Sequence, residues 1–379
     1  MTARPRIAVV GVGTMGSQTM WRLAARGADV IGYDRYAPGH DRGAAGGESR
    51  IYRAAHLGEP AYRPVLALAD RLWEELQRDT GRQLRRRSGA LIMGEADSGP
   101  IRTLLETSET HGLDHEVLDP RAMADRYPMH RMPEGHIAVL DREGGIIRPE
   151  ASVLSAARRA EQLGATLRRY CTVRELRPVA GGGVDVIGDH GVDRVDRVVV
   201  TAGPWVNLLL PDLPRPVEVR RLISSWHVPT THDWFAHGAP PFVRSAPRDC
   251  YGLPSPDRLT VKIGLSRPEH RLVRDPERLD REVQHPEELE TFRTLIADLM
   301  PDLHPDPVRL NVYMEGYTES SNPLVGPLPG AEDILVLAGF SGSGFKMSPG
   351  FGEIAADLAL DGKTEHPIGF LAPRPTHAN

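Results

Sequence analysis

Residues 11–16 read Gly11-Val12-Gly13-Thr14-Met15-Gly16, between an apolar run and a helical pattern. Glycines at the first, third and sixth positions suit a loop that cradles a diphosphate. Gly11 permits the tight turn, Gly13 lets the backbone approach the phosphates, and Gly16 allows close helix–strand packing. Thr14 and Met15 open a helix whose free N–H groups and positive dipole end face the anion. Asp34 lies 18 residues after Gly16, where an acid holds a ribose hydroxyl and repels a 2′-phosphate. The pattern is that of a dinucleotide site, and the acid argues against NADP.

Lysine usage is the second chemical signal. Of 46 basic residues only Lys262, Lys346 and Lys363 are lysines, which leaves 43 arginines. A lysine retained in such a chain points to a task needing a compact charge with a shiftable pKa. Lys363, in Leu-Asp-Gly-Lys, reads as an exposed turn. Lys346 closes a second glycine-rich turn, Gly339-Phe340-Ser341-Gly342-Ser343-Gly344-Phe345-Lys346, ahead of a helix over 349–360. A second helix N-terminus plus a lysine stabilises the negative charge that a reduced flavin develops at N1 and O2. This turn favours FAD over NAD as the dinucleotide.

These loops need elements to hold them. Residues 7–10 read as a buried parallel strand, 14–26 as a helix stopped by Gly27, and 29–33 as a second strand ending at Asp34. An amphipathic helix over 60–80 presents Leu66, Ala69, Leu72, Trp73 and Leu76 on one face. Further on come a strand near 89–93, helices over 98–112 and 121–128, a hairpin over 137–148 turning at Gly144-Gly145, and a helix over 150–163. Residues 166–200 have strand character. From 216 to 313 the alternation suggests an antiparallel sheet, and the C-terminal part returns to strand, turn and helix. The implied fold class is α/β combined with α+β. A Rossmann-like FAD-binding domain, discontinuous over 1–82, 148–215 and 318–379, is interrupted by an antiparallel-sheet substrate domain over 83–147 and 216–317.

Composition excludes several classes. Net charge is −5, so electrostatics gives no reason to expect a nucleic-acid partner. The basic run over 82–87 lacks interleaved aromatics and reads as a solvated helix end or loop. No apolar stretch approaches the ~18 residues of a membrane span, and no signal-peptide pattern opens the chain. A cytoplasmic location and no membrane partner are therefore expected. Cys171 and Cys250 form no metal or redox spacing, so free thiols and no metal site are expected.

The opening βαβ, the stretch Gly47-Glu48-Ser49-Arg50-Ile51-Tyr52-Arg53, the turn Thr201-Ala202-Gly203-Pro204-Trp205 and the Gly339–Lys346 turn together resemble the monomeric sarcosine oxidase and N-methyltryptophan oxidase family, within the D-amino-acid-oxidase-like flavoproteins. The likeness covers nearly the whole chain in order. It implies FAD-dependent oxidation of the C–N bond of a small or N-substituted amino acid. The imine hydrolyses, and O2 leaves as H2O2. It places Arg50 near the flavin ring, Arg53 and Lys346 on the substrate carboxylate, and Lys262 beside flavin N5 through water, promoting the reaction with oxygen. Tyr251 and Tyr317 line the substrate cavity. FAD contacts are expected from Asp34, Arg35, Ser49, Arg50 and Val173, from Gly203 and Trp205, and from Gly342, Gly344, Phe345 and Lys346. The partners implied are a small-molecule amine and O2, with the chain a monomer.

The likeness breaks at two places. The family's cysteine that binds FAD covalently, two residues before the tyrosine matched by Tyr317, is here Glu315. Noncovalent FAD follows, and losing the thioether lowers the flavin's potential. That opens an alternative substrate class, an N–N or cyclic amine intermediate in a specialised biosynthetic pathway, which is easier to oxidise. The family's histidine four residues after the active-site lysine is matched by Ser266, and Ala45-Gly46-Gly47 carries no histidine. His56 and His227 are the candidate replacements. A nicotinamide-dependent dehydrogenase and a catalytically silent flavin-binding protein are the competing readings.

Overall fold

Strand β1, Arg6–Val10, is buried along Ile7–Val10 and lies at the centre of a six-stranded sheet. The computed structural model describes residues 4–54, 60–236, 238–266, 270–283 and 286–374. Strand β2, Asp29–Tyr33, pairs parallel with one side of β1, and Arg197–Val200 pairs parallel with the other. Thr166–Arg168 extends the sheet beyond β2. Beyond Arg197–Val200 come Ala331–Ala338, parallel, and Leu324–Leu328, antiparallel. Strands buried on both faces in a parallel sheet need continuous apolar runs, as Ile-Ala-Val-Val and Val-Val-Val supply.

Helix α1, Thr14–Ala25, follows β1. It packs on one face of this sheet together with the helices Arg63–Thr80, Pro149–Gln162 and Ser348–Asp361. Leu66, Leu72, Trp73 and Leu76 are buried in that layer, each contributing about 1.5–3 kcal/mol from burial. The opposite face carries the three-stranded antiparallel sheet Val173–Pro178, Val184–Gly188 and Gly191–Val195.

The second large sheet has nine strands, drawn from residues 90–141 and 218–317. It is mostly antiparallel, with Phe242–Arg244 running parallel to Ala90–Glu95. One face packs on the helix Pro286–Leu299 through Phe292, Leu295, Ile296 and Leu299. Sequence periodicity did not single out this helix, which sits inside a stretch otherwise read as strand.

Two local expectations are overturned. Residues 136–147 do not form a hairpin. His136–Asp141 pairs with strands of the nine-stranded sheet, whereas Gly145–Ile147 pairs with Arg50–Tyr52 and Arg85–Arg87 in a separate small sheet. The Gly144-Gly145 turn hands the chain from one sheet to the other; a Cβ at Gly145 would lie 2.1 Å from the Arg86 carbonyl oxygen. The basic run at 82–87 is not simply solvated. The Arg85 side chain is 1% exposed and pairs with Asp70 and Glu74 below the Tyr52 ring. An arginine that meets carboxylates and an aromatic face can be buried.

Candidate active site

The turn after β1 shows why its glycines are needed. Gly11 has φ +90°, and a Cβ there would lie 2.6 Å from the Thr201 carbonyl oxygen. A Cβ at Gly16 would lie 1.9 Å from the Gly11 oxygen, while one at Gly13 would meet nothing within 4 Å. Two glycines thus bring α1 against the strand ends, and Gly13 faces open space. Helix α1 has no acidic residue in its first turn and no side-chain cap, leaving its N-terminal N–H groups free for an anion.

That space is a cavity of about 540 Å3. Asp34, Arg35 and Val173 line it at one end, Gly11, Gly13, Thr14 and Met15 in the middle, with Gly203 and Trp205 beside them. Arg50, Glu315, Gly342, Gly344 and Phe345 also line it. Gly16, Ser49, Arg53, Tyr251, Lys262, Tyr317 and Lys346 are not part of this lining. The Asp34 carboxylate accepts the backbone N–H groups of Val12 (2.7 Å) and Tyr36 (2.8 Å), joining the glycine turn to the loop after β2. The Arg35 guanidinium is engaged by Glu277. A cradle built on glycine, a free helix N-terminus and an acid at the end of β2 fit FAD.

Lys262 sits on Val261–Leu265 in the nine-stranded sheet and is fully buried. Its Nζ donates to the carbonyl oxygens of Gly47 (2.9 Å) and Ser49 (2.5 Å). Arg50, next along this loop, donates to the carbonyls of Ser49 (2.9 Å) and Ala44 (2.7 Å). Burial pushes the Lys262 ammonium well below the usual lysine range, and Arg50 adds to the shift. One lysine therefore ties the 47–49 loop to the sheet and keeps a donor to spare.

Arg53 and Lys346 are near enough to repel each other, and among the described residues Asp141 offsets only Arg53. Arg53 Nη1 is closed off from solvent and has no hydrogen-bond partner. Lys346 is 4% exposed, and its Nζ donates to the Ser343 carbonyl (3.1 Å). Burial lowers Arg53 to about 10, with Asp141 pulling the other way. Burial, then Arg53, brings Lys346 well below its usual value. Two buried cations held this way are costly, and an incoming carboxylate would offset the cost. Trp73 holds Lys346 in place, donating its Nε1–H to the Lys346 carbonyl at 2.9 Å.

Tyr251 and Tyr317 lie in the same sheet, on Cys250–Pro254 and Arg309–Tyr317, with two strands between them. The Tyr251 ring covers Gly264, where a Cβ would fall 2.2 Å from it. Tyr317 Oη lies 3.0 Å from Glu315 Oε2 and 3.1 Å from His270 Nδ1. Sequence reasoning missed two histidines: His40, which lines the cavity, and His270, which reaches it only through Tyr317. His227 is not at the site. It bonds His304 O and Ser225 Oγ, each at 2.9 Å, near Phe292 on the helix-covered face, and burial lowers it to about 4. His56 lies outside the described residues. Neither cysteine approaches Glu315's end of the cavity: Cys171 lines the far end beside Val173, and Cys250 is in the helix-covered core, its thiol pushed to about 12. Among the described residues no cluster could hold a metal, and no helix is long and apolar enough to cross a membrane.

Fold and site together define an FAD-dependent oxidoreductase. The pattern of the FAD dependent oxidoreductase family matches residues 6–358, and the chain belongs to that family. It is 32% identical to the monomeric sarcosine oxidase of Streptomyces avermitilis, over 97% of each chain. It is 28% identical to the N-methyl-L-tryptophan oxidase of Citrobacter koseri, over 93% of each. Its fold superposes on NikD, an unusual amino acid oxidase essential for nikkomycin biosynthesis, with TM-score 0.84, 26% identity and 98% of each chain covered. The enzyme is thus of the amine and amino-acid oxidase kind.

Proposed function

We propose that this enzyme oxidises the C–N bond of a small amino acid or N-substituted amino acid, forming an imine that hydrolyses, with O2 reduced to H2O2. The observation that carries this reading is the buried Arg53–Lys346 cation pair, whose Arg53 Nη1 has no partner. A carboxylate between them would gain charge-assisted hydrogen bonds and fix the substrate's orientation. Bound FAD supplies two-electron acceptor chemistry. Arg50 and Lys262 offset the negative charge that builds up during electron transfer and oxygen reduction. Tyr251 and Tyr317 wall the amine's surroundings. The neutral amine is the reacting form, so no separate base is needed. The enzyme works as a monomer.

The FAD is held noncovalently, since Glu315 stands where a thioether would form. One preparation tests both points. Acid precipitation should release yellow flavin to the supernatant, and a panel of N-substituted amino acids should yield peroxide with at least one member. Flavin retained in the pellet would overturn the noncovalent reading. Silence of the whole panel, with no anaerobic bleaching, would overturn the oxidase reading. The likeness to NikD and the carboxylate at Glu315 support a second reading, an N–N or cyclic amine substrate. Sarcosine turned over faster than every such compound would exclude it.

The cation pair sets a pH dependence. Carboxylate binding favours the charged form of Lys346, so its pKa rises on binding. Affinity is then full below the free-enzyme pKa and is lost as pH climbs through it, by up to about tenfold per pH unit. Because burial and Arg53 depress that pKa, the loss should begin well before the usual lysine range. Acetate inhibition measured across pH should show it, and Lys346→Met should flatten the curve.

A further inference from the structure

Glu315, Tyr317 and His270 form a bonded line from the cavity wall into the protein. Tyr317 Oη lies 3.0 Å from Glu315 Oε2 and 3.1 Å from His270 Nδ1. His270 Nε2 lies 2.8 Å from the Leu265 carbonyl oxygen. At the other end Glu315 accepts the Gly342 backbone N–H, and Glu315 itself lines the cavity.

Proton counting constrains this line. A carbonyl oxygen only accepts, so His270 Nε2 carries a hydrogen. Nδ1 then carries one only when the ring is an imidazolium. Tyr317 has a single hydroxyl hydrogen, and its contacts with Glu315 and His270 each need one. If the hydroxyl donates to Nδ1, the contact with Glu315 requires a protonated carboxyl donating to the phenol oxygen. If it donates to Glu315, the contact with Nδ1 requires an imidazolium. Both arrangements hold one proton more than a carboxylate plus a neutral imidazole. Without that proton, lone pair faces lone pair at one of two buried contacts, a cost that low local dielectric magnifies.

We propose that Glu315, Tyr317 and His270 share one labile proton at neutral pH, so that the line adds no net negative charge to the flavin cavity until alkaline pH empties it. The proton shift breaks the Glu315 O–H bond as a Tyr317 O–H bond forms, and breaks the old Tyr317 O–H bond as His270 Nδ1–H forms. No electron moves. Burial pushes the Glu315 carboxyl above its usual range; Arg50, Tyr317 and the Gly342 N–H oppose that. Among the described residues the charged and titratable neighbours are Arg50 and Tyr251 beside Glu315. Beside Tyr317 and His270 they include Arg220, whose Nη1 donates to the His270 carbonyl at 3.2 Å, and its partner Glu218. The shared proton rests on geometry; its effect on a flavin rests on the function proposed above. His270 acts through Tyr317 as a positioning residue for the charge that Glu315 presents at the cavity wall.

The experiment is 15N-histidine NMR on the flavin-loaded protein, with His270→Gln for assignment, plus flavin midpoint potential against pH. Glu315→Gln and Tyr317→Phe should each lower the His270 titration midpoint by at least about one pH unit. The wild-type potential should bend downward at the pH where the line empties, and the bend should vanish in Glu315→Gln. A His270 midpoint unmoved in either folded variant overturns the shared proton. A moved midpoint with no bend in the potential overturns the charge effect. A chain that purifies without flavin overturns the functional reading instead, and the NMR arm still decides the relay.

Discussion

Arg53→Met lowers kcat/KM for a carboxylate-bearing amine by about 10²–10³-fold, while making the flavin-free chain harder to unfold. The first effect follows from losing a buried, charge-assisted contact, about 3–4 kcal/mol at roughly 1.4 kcal/mol per tenfold. The second follows from the state of Arg53 before substrate arrives. Its guanidinium is enclosed, its Nη1 lacks a partner, and its neighbour is another cation, Lys346. Methionine fills similar volume without a charge to desolvate, a gain of about 1–3 kcal/mol. Peroxide-coupled kinetics reads the first effect, and the urea midpoint of the flavin-free protein reads the second. An unchanged KM and kcat for amino-acid substrates would place the carboxylate elsewhere. A fall in both activity and stability would make Arg53 a structural cation.

Lys262→Met leaves anaerobic reduction by substrate within a few-fold and slows the oxygen reaction by about 10²–10³-fold. Lys262 is the buried ammonium that still has a donor to spare after bonding Gly47 and Ser49, and a fixed cation offsets charge as oxygen is reduced. The same bonds suggest the opposing outcome. Arg50 follows Ser49 directly, so release of the loop would displace Arg50 too. Stopped-flow measurement of the two half-reactions separates these cases. Equal loss in both would make Lys262 an anchor of the 47–49 loop rather than a promoter of the oxygen step.

Legibility in the sequence followed the range of the interactions. The β1–α1–β2 unit was readable because its signals are local: apolar runs for strands, glycines for a turn, Asp34 at a strand end. The helix Pro286–Leu299 escaped notice because its apolar face, Phe292, Leu295, Ile296 and Leu299, sits within a stretch dominated by alternating strand patterns. The expected hairpin over 137–148 failed for a related reason. Gly144-Gly145 signals a turn, but a turn does not say which partners the flanking strands will take. Arg85 escaped because its counter-ions, Asp70 and Glu74, lie on a preceding helix.

The sequence by itself determined that a dinucleotide cradle starts at Gly11 and that lysines are scarce enough for Lys262 and Lys346 to stand out. Backbone conformation and composition need no distant partner to be read. Tertiary structure alone decided that His270 bonds Tyr317, 47 positions further along the chain. It alone placed Arg53 beside Lys346 and closed solvent off from both. Burial, pairing and proton sharing depend on which groups the fold brings within about 3 Å of each other, and no spacing along the chain encodes that distance.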